Sequence, residues 1–113
     1  MTTAHEHGLA RLAPFLGQSF VGLDGVKVYF SLLAEYLSYE NMQFKNYIVD
    51  ATNNKVSVRG EARFTWNSTG QSWDEVFTYQ LAFDDEGKVT DYHVWADSGA
   101  AYLARRGELN EGA

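Results

Sequence analysis

The stretch DDEGKVTDYHVWADSGAAYL, residues 84–103, decides the fold of this chain. It begins with a turn cluster in which Gly87 can adopt positive φ. Residues 88–96 then alternate between two faces, which is typical of a half-buried strand. Asp97 and Ser98 are good N-cap residues, so a short helix should follow. The stretch therefore predicts a turn, a strand and a helix start.

The predicted strand has two chemically different faces. Aromatic and aliphatic side chains on one face suit a core, whereas an Asp, a His and a Trp on the other suit solvent, a partner or a ligand. The first face carries Thr90, Tyr92, Val94 and Ala96, and the second face carries Val89, Asp91, His93 and Trp95.

Upstream of this stretch, one helix and three further strands are predicted. The helix opens at residues 22–25 and ends at residues 40–41. Alternation predicts strands over 42–49, 56–66 and 73–83, joined by short turns. Apolar residues recur in the helix at helical spacing, so one of its sides should lie on the sheet. These residues are Val26, Phe30, Leu33 and Leu37, with Tyr29 and Tyr36 on the shoulders.

These elements predict an α+β domain with a strongly curved antiparallel sheet. Short turns make an antiparallel meander the simplest topology, and Gly60 sits where a sheet can bend or bulge. A sheet that wraps around a helix forms a cone and leaves a cavity at one end. We expect apolar rings and aliphatic side chains to line this ligand pocket, namely Tyr29, Phe30, Leu33, Phe64, Trp66, Tyr92 and Val94.

The two ends of the chain are predicted to be flexible. Residues 1–8 form a polar terminus in which His5 and His7 would share one side of an extended segment. Two imidazoles could contact a metal, but two ligands make no closed site. Residues 9–21 form an irregular apolar segment with a short helical turn and a short strand, and residues 107–113 form a flexible tail.

The composition excludes several classes of function. With 113 residues, the chain is expected to form a single domain over residues 1–113. A net charge of −6 argues against nucleic acid and against an anionic membrane surface as partners. The sequence has no Cys, no signal peptide and no apolar run of membrane-spanning length. These features favour a cytoplasmic location.

The residues described above resemble the NTF2-like superfamily, in particular its SnoaL-like branch of small pocket proteins. The similarity lies in GLDGVKVYFSLLAEYL (22–37), in the meander that follows, and in FDDEGKVTDYHVWADSGAAYL (83–103), and it covers residues 15–106. Members usually begin with a long N-terminal helix that closes the wide end of the cone, but only about 20 residues precede Gly22 here. The resemblance therefore implies a cone with a more open pocket and a sheet in greater need of a partner.

The resemblance also implies candidate catalytic residues. The superfamily includes isomerases, dehydratases, cyclases and epoxide hydrolases, alongside members without catalysis, and its enzymes use a pocket carboxylate or His as general base. The catalytic Asp of SnoaL-like cyclases falls at Val94 here, which cannot move a proton; a shift of one residue would place it at His93. Asp91 lies two residues away on the same face and would raise the pKa of the imidazole. Alternatively, both residues belong to a polar outer face.

Three functions remain open from the sequence. The first is a protein that binds a small hydrophobic or aromatic molecule and forms a homodimer through a sheet face that includes Trp95. The second is a lyase or isomerase that uses His93 or Asp91 as general base on a polyketide-like or steroid-like substrate. The third is a non-catalytic protein-interaction module. No metal and no cofactor are expected, because the sequence has no metal-ligand spacing, phosphate-binding glycine loop or nucleophile motif.

Overall fold

The computed structural model describes residues 1–110, which form a curved, open sheet and two α-helices. The predicted α+β class is therefore confirmed. The elements are β1 (Thr3–His7), a 3₁₀ turn (Ala10–Leu12), β2 (Ser19–Val21), α1 (Gly22–Tyr36), β3 (Leu37–Asp50), β4 (Lys55–Trp66), β5 (Ser72–Phe83), β6 (Val89–Trp95) and α2 (Ser98–Arg105).

The six strands are arranged in the order β2-β1-β6-β5-β4-β3. Strands β3 to β6 form the predicted antiparallel meander. However, β1 pairs in parallel with β6, so the sheet is mixed rather than wholly antiparallel. We call the side of the sheet that faces α1 the inner face and the opposite side the outer face.

The N-terminal segment is a strand, and the prediction of a frayed terminus was wrong. Ala4 is completely buried and Glu6 is nearly so, because both point to the inner face. The Thr2 hydroxyl donates a hydrogen bond to the Val89 carbonyl at 2.7 Å. The Gly17 amide donates another to the Glu6 carbonyl at 3.0 Å. The segment reads as polar because three of its five strand residues face outward, and a five-residue alternation is a weak signal.

The curvature of the sheet is built into β3 rather than at Gly60. Asn41 and Asn46 adopt left-handed backbone conformations, with φ of 56° and 58°. The register between β3 and β4 shifts beside each of them, which is the pattern of β-bulges. Gly60 has a different role: a Cβ at this position would overlap the ring of Phe77, so the glycine makes room for that ring on the inner face.

The helix α1 ends at Tyr36, earlier than the predicted end at residues 40–41, because Leu37 already has extended backbone angles and starts β3. Its buried side is centred on Tyr29, which is 1% exposed. Phe30, predicted to be central in the buried stripe, is 46% exposed. The stripe is rotated by one residue because Tyr29 is in phase with Val26, Leu33 and Tyr36, and all three pack against the core.

The C-terminal helix begins where the sequence predicted, and its Ala101 and Ala104 are buried in the core. The Ala100 amide donates a 2.9 Å hydrogen bond to Asp97 Oδ1, so Asp97 is the N-cap of α2. Beyond α2, the side chain of Gln71 donates to the Gly107 carbonyl at 2.9 Å and accepts from the Leu109 amide at 2.8 Å. The first part of the predicted flexible tail is therefore hydrogen-bonded to the residue that precedes β5. Residues 111–113 lie outside the described residues.

Neither of the described helices is long and apolar enough to cross a membrane.

Candidate functional site

A cavity of about 270 Å³ lies between α1 and the inner face of the sheet. This volume is close to the lower end of ligand pockets, about 300–1,000 Å³. Phe30 and Tyr39 line the cavity and are 46% and 64% exposed, so the cavity opens to solvent beside them. Most of its wall is apolar or aromatic, and the full lining is Glu6, Phe15, Tyr29, Phe30, Leu33, Ala34, Leu37, Tyr39, Met42, Phe64, Trp73, Glu75, Phe77, Tyr79, Tyr92, Val94, Ala96, Asp97 and Ala101.

The pocket residues named from the sequence have two different locations in the structure. Six of them line the cavity, namely Tyr29, Phe30, Leu33, Phe64, Tyr92 and Val94. Trp66 is not in the cavity wall. It is 2% exposed and packs between Tyr36 and Phe15, with ring centroids at 5.5 Å and 6.3 Å. Trp66 ends β4, beyond the part of that strand that faces the cavity, and it therefore belongs to the core.

One wall of the cavity carries the buried carboxyl group of Glu6, which is 7% exposed. The hydroxyl of Tyr29 donates a hydrogen bond to Glu6 Oε1 at 2.6 Å. Burial raises the pKa of Glu6 from 4.5 to about 7, against the opposing effect of the Tyr29 hydrogen bond and with a smaller contribution from the charge of Glu75. Burial also raises the pKa of Tyr29, so its hydroxyl remains a donor at neutral pH.

The second carboxyl group in the cavity wall belongs to Glu75 on β5, which is 8% exposed. Its Oε1 accepts hydrogen bonds from Trp73 Nε1 at 2.9 Å and from the backbone amide of Asp97 at 3.2 Å. Burial raises the pKa of Glu75 from 4.5 to about 7, although both hydrogen bonds act in the opposite direction.

Two carboxyl groups with pKa values near 7 give this cavity a capacity for proton transfer. At neutral pH each group is present in both protonation states, so it can accept a proton or donate one. Perturbed carboxyl groups in a concave, apolar site are typical of acid–base chemistry, although they also occur in purely structural clusters. The same groups can bind the polar end of a ligand whose remainder contacts the aromatic wall.

The sequence interpretation missed both glutamates. Glu75 is in phase with the inward-facing Trp73, Phe77 and Tyr79 on β5, and a carboxylate inside such a run is a signal that could have been used. Glu6 was hidden because its strand was interpreted as a mobile terminus. A buried carboxyl group at this position becomes visible only once β1 is known to pair with β6.

The two catalytic candidates from the sequence, His93 and Asp91, are not among the residues that line the cavity. They alternate along β6 with Tyr92, which does line it, so they lie on the outer face. His93 contacts a histidine of the neighbouring strand, since its Nδ1 lies 2.8 Å from His7 Nε2. A base at either position would be separated from a cavity ligand by the sheet.

The outer face of β1 and β6 carries three histidines, but their side chains do not form a ready metal site. In the part of the chain that the structure describes, no three metal-donor side chains are placed to hold one ion. Instead, the rings of His7 and His93 stack with centroids 5.1 Å apart, and the ring of His5 is tilted by 34° relative to that of His7 with centroids 4.5 Å apart.

No protein-family model matches the sequence, and no curated protein matches it either. Solved structures do match its fold. An NTF2-like protein of unknown function from Burkholderia pseudomallei is similar with a TM-score of 0.78 at 14% identity, covering 91% of this chain and 75% of that one. A provisional SnoaL-like polyketide cyclase from Mesorhizobium loti gives 0.66 at 13%, covering 82% and 73%.

A third similar structure is TerC co-crystallised with polyporic acid, with a TM-score of 0.77 at 16% identity, covering 93% of this chain and 77% of that one. At these identities the similarity concerns the fold. The NTF2-like fold that the sequence resemblance predicted is therefore confirmed.

Proposed function

We propose that this NTF2-like chain binds a small, planar, hydrophobic or aromatic molecule in the cavity between α1 and the sheet. The observation that carries the proposal is an aromatic hollow with two buried carboxyl groups in its wall. Rings of Phe64, Phe77, Tyr79 and Tyr92 offer flat apolar surface, and Glu6 and Glu75 offer polar contacts that fix orientation. The co-crystallisation of the neighbour TerC with polyporic acid supports a ligand in this fold.

A cavity-filling substitution tests this proposal. Leu33 lines the cavity, so Leu33→Trp should occupy ligand space, whereas Leu23→Trp, at a position that is 70% exposed, is the matched control. We expect a neutral naphthol to raise the melting temperature of the wild type and of Leu23→Trp but not of Leu33→Trp, because binding to the native state stabilises it. Equal responses of the two variants, or no response of the wild type to naphthol and larger planar ring compounds, would remove the proposal.

A second candidate function is acid–base catalysis of the lyase or isomerase kind, and the carboxyl pair favours it. Glu6 and Glu75 replace His93 and Asp91 as the proposed bases, because they line the cavity and their pKa values are raised to about 7. A carboxylate desolvated in this way is a stronger base than one in water and is well matched to neutral pH.

A nitrobenzisoxazole probe tests this catalytic hypothesis without knowledge of the natural substrate. A base removes the carbon-bound proton while the N–O bond breaks, and the product is a cyanophenolate that is followed by absorbance. We expect the rate to rise with pH through about 7, as the carboxyl groups ionise. Glu6→Gln or Glu75→Gln should lower the rate, the double substitution should abolish it, and Glu61→Gln, on the outer face, should leave it unchanged. A rate unaffected by both cavity substitutions would exclude these bases.

We also propose that two copies of the chain associate through the outer face. Trp95 is 44% exposed there and stacks on His7 with ring centroids 4.4 Å apart. A rigid aromatic cluster on a sheet face is typical of the centre of a protein interface. Sedimentation should give a dimer for the wild type and a monomer for Trp95→Ala. Leu23→Ala, on α1, is the control and should remain dimeric; an unchanged mass of Trp95→Ala would contradict the proposal.

If no ligand binds, the alternative is that the chain acts only as a protein-interaction module. A cytoplasmic location, and the exclusion of nucleic acid and membrane as partners, stay predictions from the sequence.

A further inference from the structure

All three histidines of the chain lie together on the outer face of β1 and β6. Alternation puts His5 and His7 on the same side of β1, and the parallel register places His5 opposite His93 and His7 opposite Trp95. We call these four residues, His5, His7, His93 and Trp95, the histidine face. All three imidazole groups of the protein therefore lie on one small surface.

The contact between His7 and His93 limits the charge that this surface can hold. His7 Nε2 and His93 Nδ1 lie 2.8 Å apart, which is a hydrogen bond in which one ring donates and the other accepts. One added proton is compatible with the contact, because a cationic ring can still donate to a neutral one. Two protonated rings would present two donors to each other and separate.

Few charges surround the histidine face. On β2, the Ser19 hydroxyl lies 2.9 Å from His5 Nδ1. On β5, Gln80 is opposite His93 and Thr78 is opposite Trp95, and neither carries a charge. The charged group on the outer face of β6 is Asp91, opposite Thr3 and Ala82. The surface is therefore aromatic and nearly neutral when its imidazoles are unprotonated.

The other half of the outer face is chemically different. Strands β3 to β5 carry exposed ion pairs there: Lys45 with Glu61 at 2.9 Å, Arg59 with Glu61 at 2.8 Å and Arg63 with Asp74 at 3.2 Å. In a chain with a net charge of −6, a second copy is repelled overall. A neutral aromatic patch is the surface on which two identical copies can meet across a two-fold axis without opposing like charges.

We propose that the histidine face is the contact between two copies of this chain and that protonation of its imidazoles separates them in mild acid. This inference rests on the proposed dimer and adds its regulation. In an isologous contact the same imidazoles of both copies come together, so each protonation event is doubled. Charge then accumulates on both sides of a contact that excludes water, and association weakens.

The size of the pH effect on the dissociation constant follows from the number of imidazoles that must be neutral for two copies to associate. At one pH unit below its pKa in the separated chains, each imidazole that must be neutral in the contact weakens association about tenfold. With a single such group per copy, the dissociation constant should rise by at most about a hundredfold between about pH 7.5 and about pH 5.5.

Sedimentation equilibrium at these two pH values, with full-length protein, tests the proposal. The wild type should be dimeric at the higher pH and largely monomeric at the lower pH. The double variant His7→Gln/His93→Gln keeps polar side chains but cannot gain charge at two of the three imidazole positions, so its dimer should dissociate in acid much less than the wild-type dimer does. If this variant does not associate, the single variant His5→Gln must show a smaller pH dependence than the wild type, or the proposal fails.

The control is Glu6→Gln/Glu75→Gln, since these carboxyl groups also titrate near neutral pH but lie on the inner face. Its dimer should dissociate in acid as the wild type does. A wild-type dimer that is equally tight at both pH values would overturn the regulation and leave the dimer intact. A monomer at both values would instead overturn the proposed dimer and, with it, this inference.

Discussion

The two sides of β1 place titratable groups of opposite kinds one residue apart. Glu6 points into the cavity, whereas its neighbours in the strand, His5 and His7, point to the outer face. On both sides the neutral form is favoured. Burial raises the pKa of Glu6, and burial, followed by the charges of His5 and His93, lowers the pKa of His7. Burial therefore disfavours the charged form of an acid on the inner face and the charged form of a base on the outer face.

The contributions of Glu6 and His7 to stability change in opposite directions with pH. The pKa of Glu6 is about 7 in the folded state and 4.5 in the reference state, so its contribution is fully present below 4.5 and is lost as pH rises through about 7. The pKa of His7 lies below 6.5, so its contribution is present above 6.5 and is lost as pH falls through the lowered pKa. A single five-residue strand thus carries two opposite responses to pH.

The largest expected effect comes from putting a polar group on the wrong side of β1. Ala4 is completely buried on the inner face, so Ala4→Asn adds volume and an unpaired amide to the core and should cost about 3 kcal/mol or more. Thr3→Asn, one residue away on the outer face, should cost less than about 1 kcal/mol. Urea unfolding measures both. Similar losses for the two variants would mean that the faces of β1 are not distinguished.

A smaller effect is expected from the cavity carboxyl groups. Glu6→Gln and Glu75→Gln keep an acceptor oxygen but cannot ionise. A pKa rise from 4.5 to about 7 corresponds to at most about 3 kcal/mol per group. The wild type should therefore lose stability in urea between about pH 4.5 and about pH 7, and each substitution should flatten that slope. If the variants retain the wild-type slope, the carboxyl groups are not its source.

Only part of the fold and of the cavity could be predicted from the sequence. The α+β class, the curved meander and six residues of the cavity wall follow from periodicity, because alternating strands specify which side chains face inward, and the start of α2 follows from the cap residue Asp97. The carboxyl pair does not, since Glu6 is inward only when β1 adds to β6, a pairing between residues far apart in the chain. His93 was assigned to a site because its neighbour Asp91 shares its face, but that face is the outer one.

Removing the hydroxyl of Tyr29 should have a moderate effect. Tyr29→Phe deletes the donor at 2.6 Å from Glu6, which should cost about 1–2 kcal/mol and raise the pKa of Glu6 further, because the hydrogen bond lowers it. The second effect shifts the pH at which stability is lost upward. The exposed Tyr47→Phe is the control and should change neither quantity. A pH profile of Tyr29→Phe that overlays the wild type would show that this bond does not influence Glu6.

The smallest effect is expected at a carboxylate on the outer face. Glu61 pairs with Lys45 and Arg59, and the Lys45 hydrogen bond, opposed by partial desolvation, lowers the pKa of Glu61. Its contribution is therefore present at neutral pH and lost in acid, opposite in sign to that of Glu75. Exposed ion pairs contribute little, so Glu61→Gln should leave the urea midpoint nearly unchanged at neutral pH. A loss as large as that of Ala4→Asn would contradict this ranking.

The bulges in β3 also determine how this molecule meets others at its open edge. A long edge strand offers unpaired backbone groups on which foreign strands can assemble, and Tyr47, Ile48 and Val49 add exposed apolar side chains to this one. Asn41 and Asn46 divide its ladder into three short runs. An incoming chain would lose hydrogen bonds at both bulges, so the kinks that shape the cavity should also disfavour fibrous assembly.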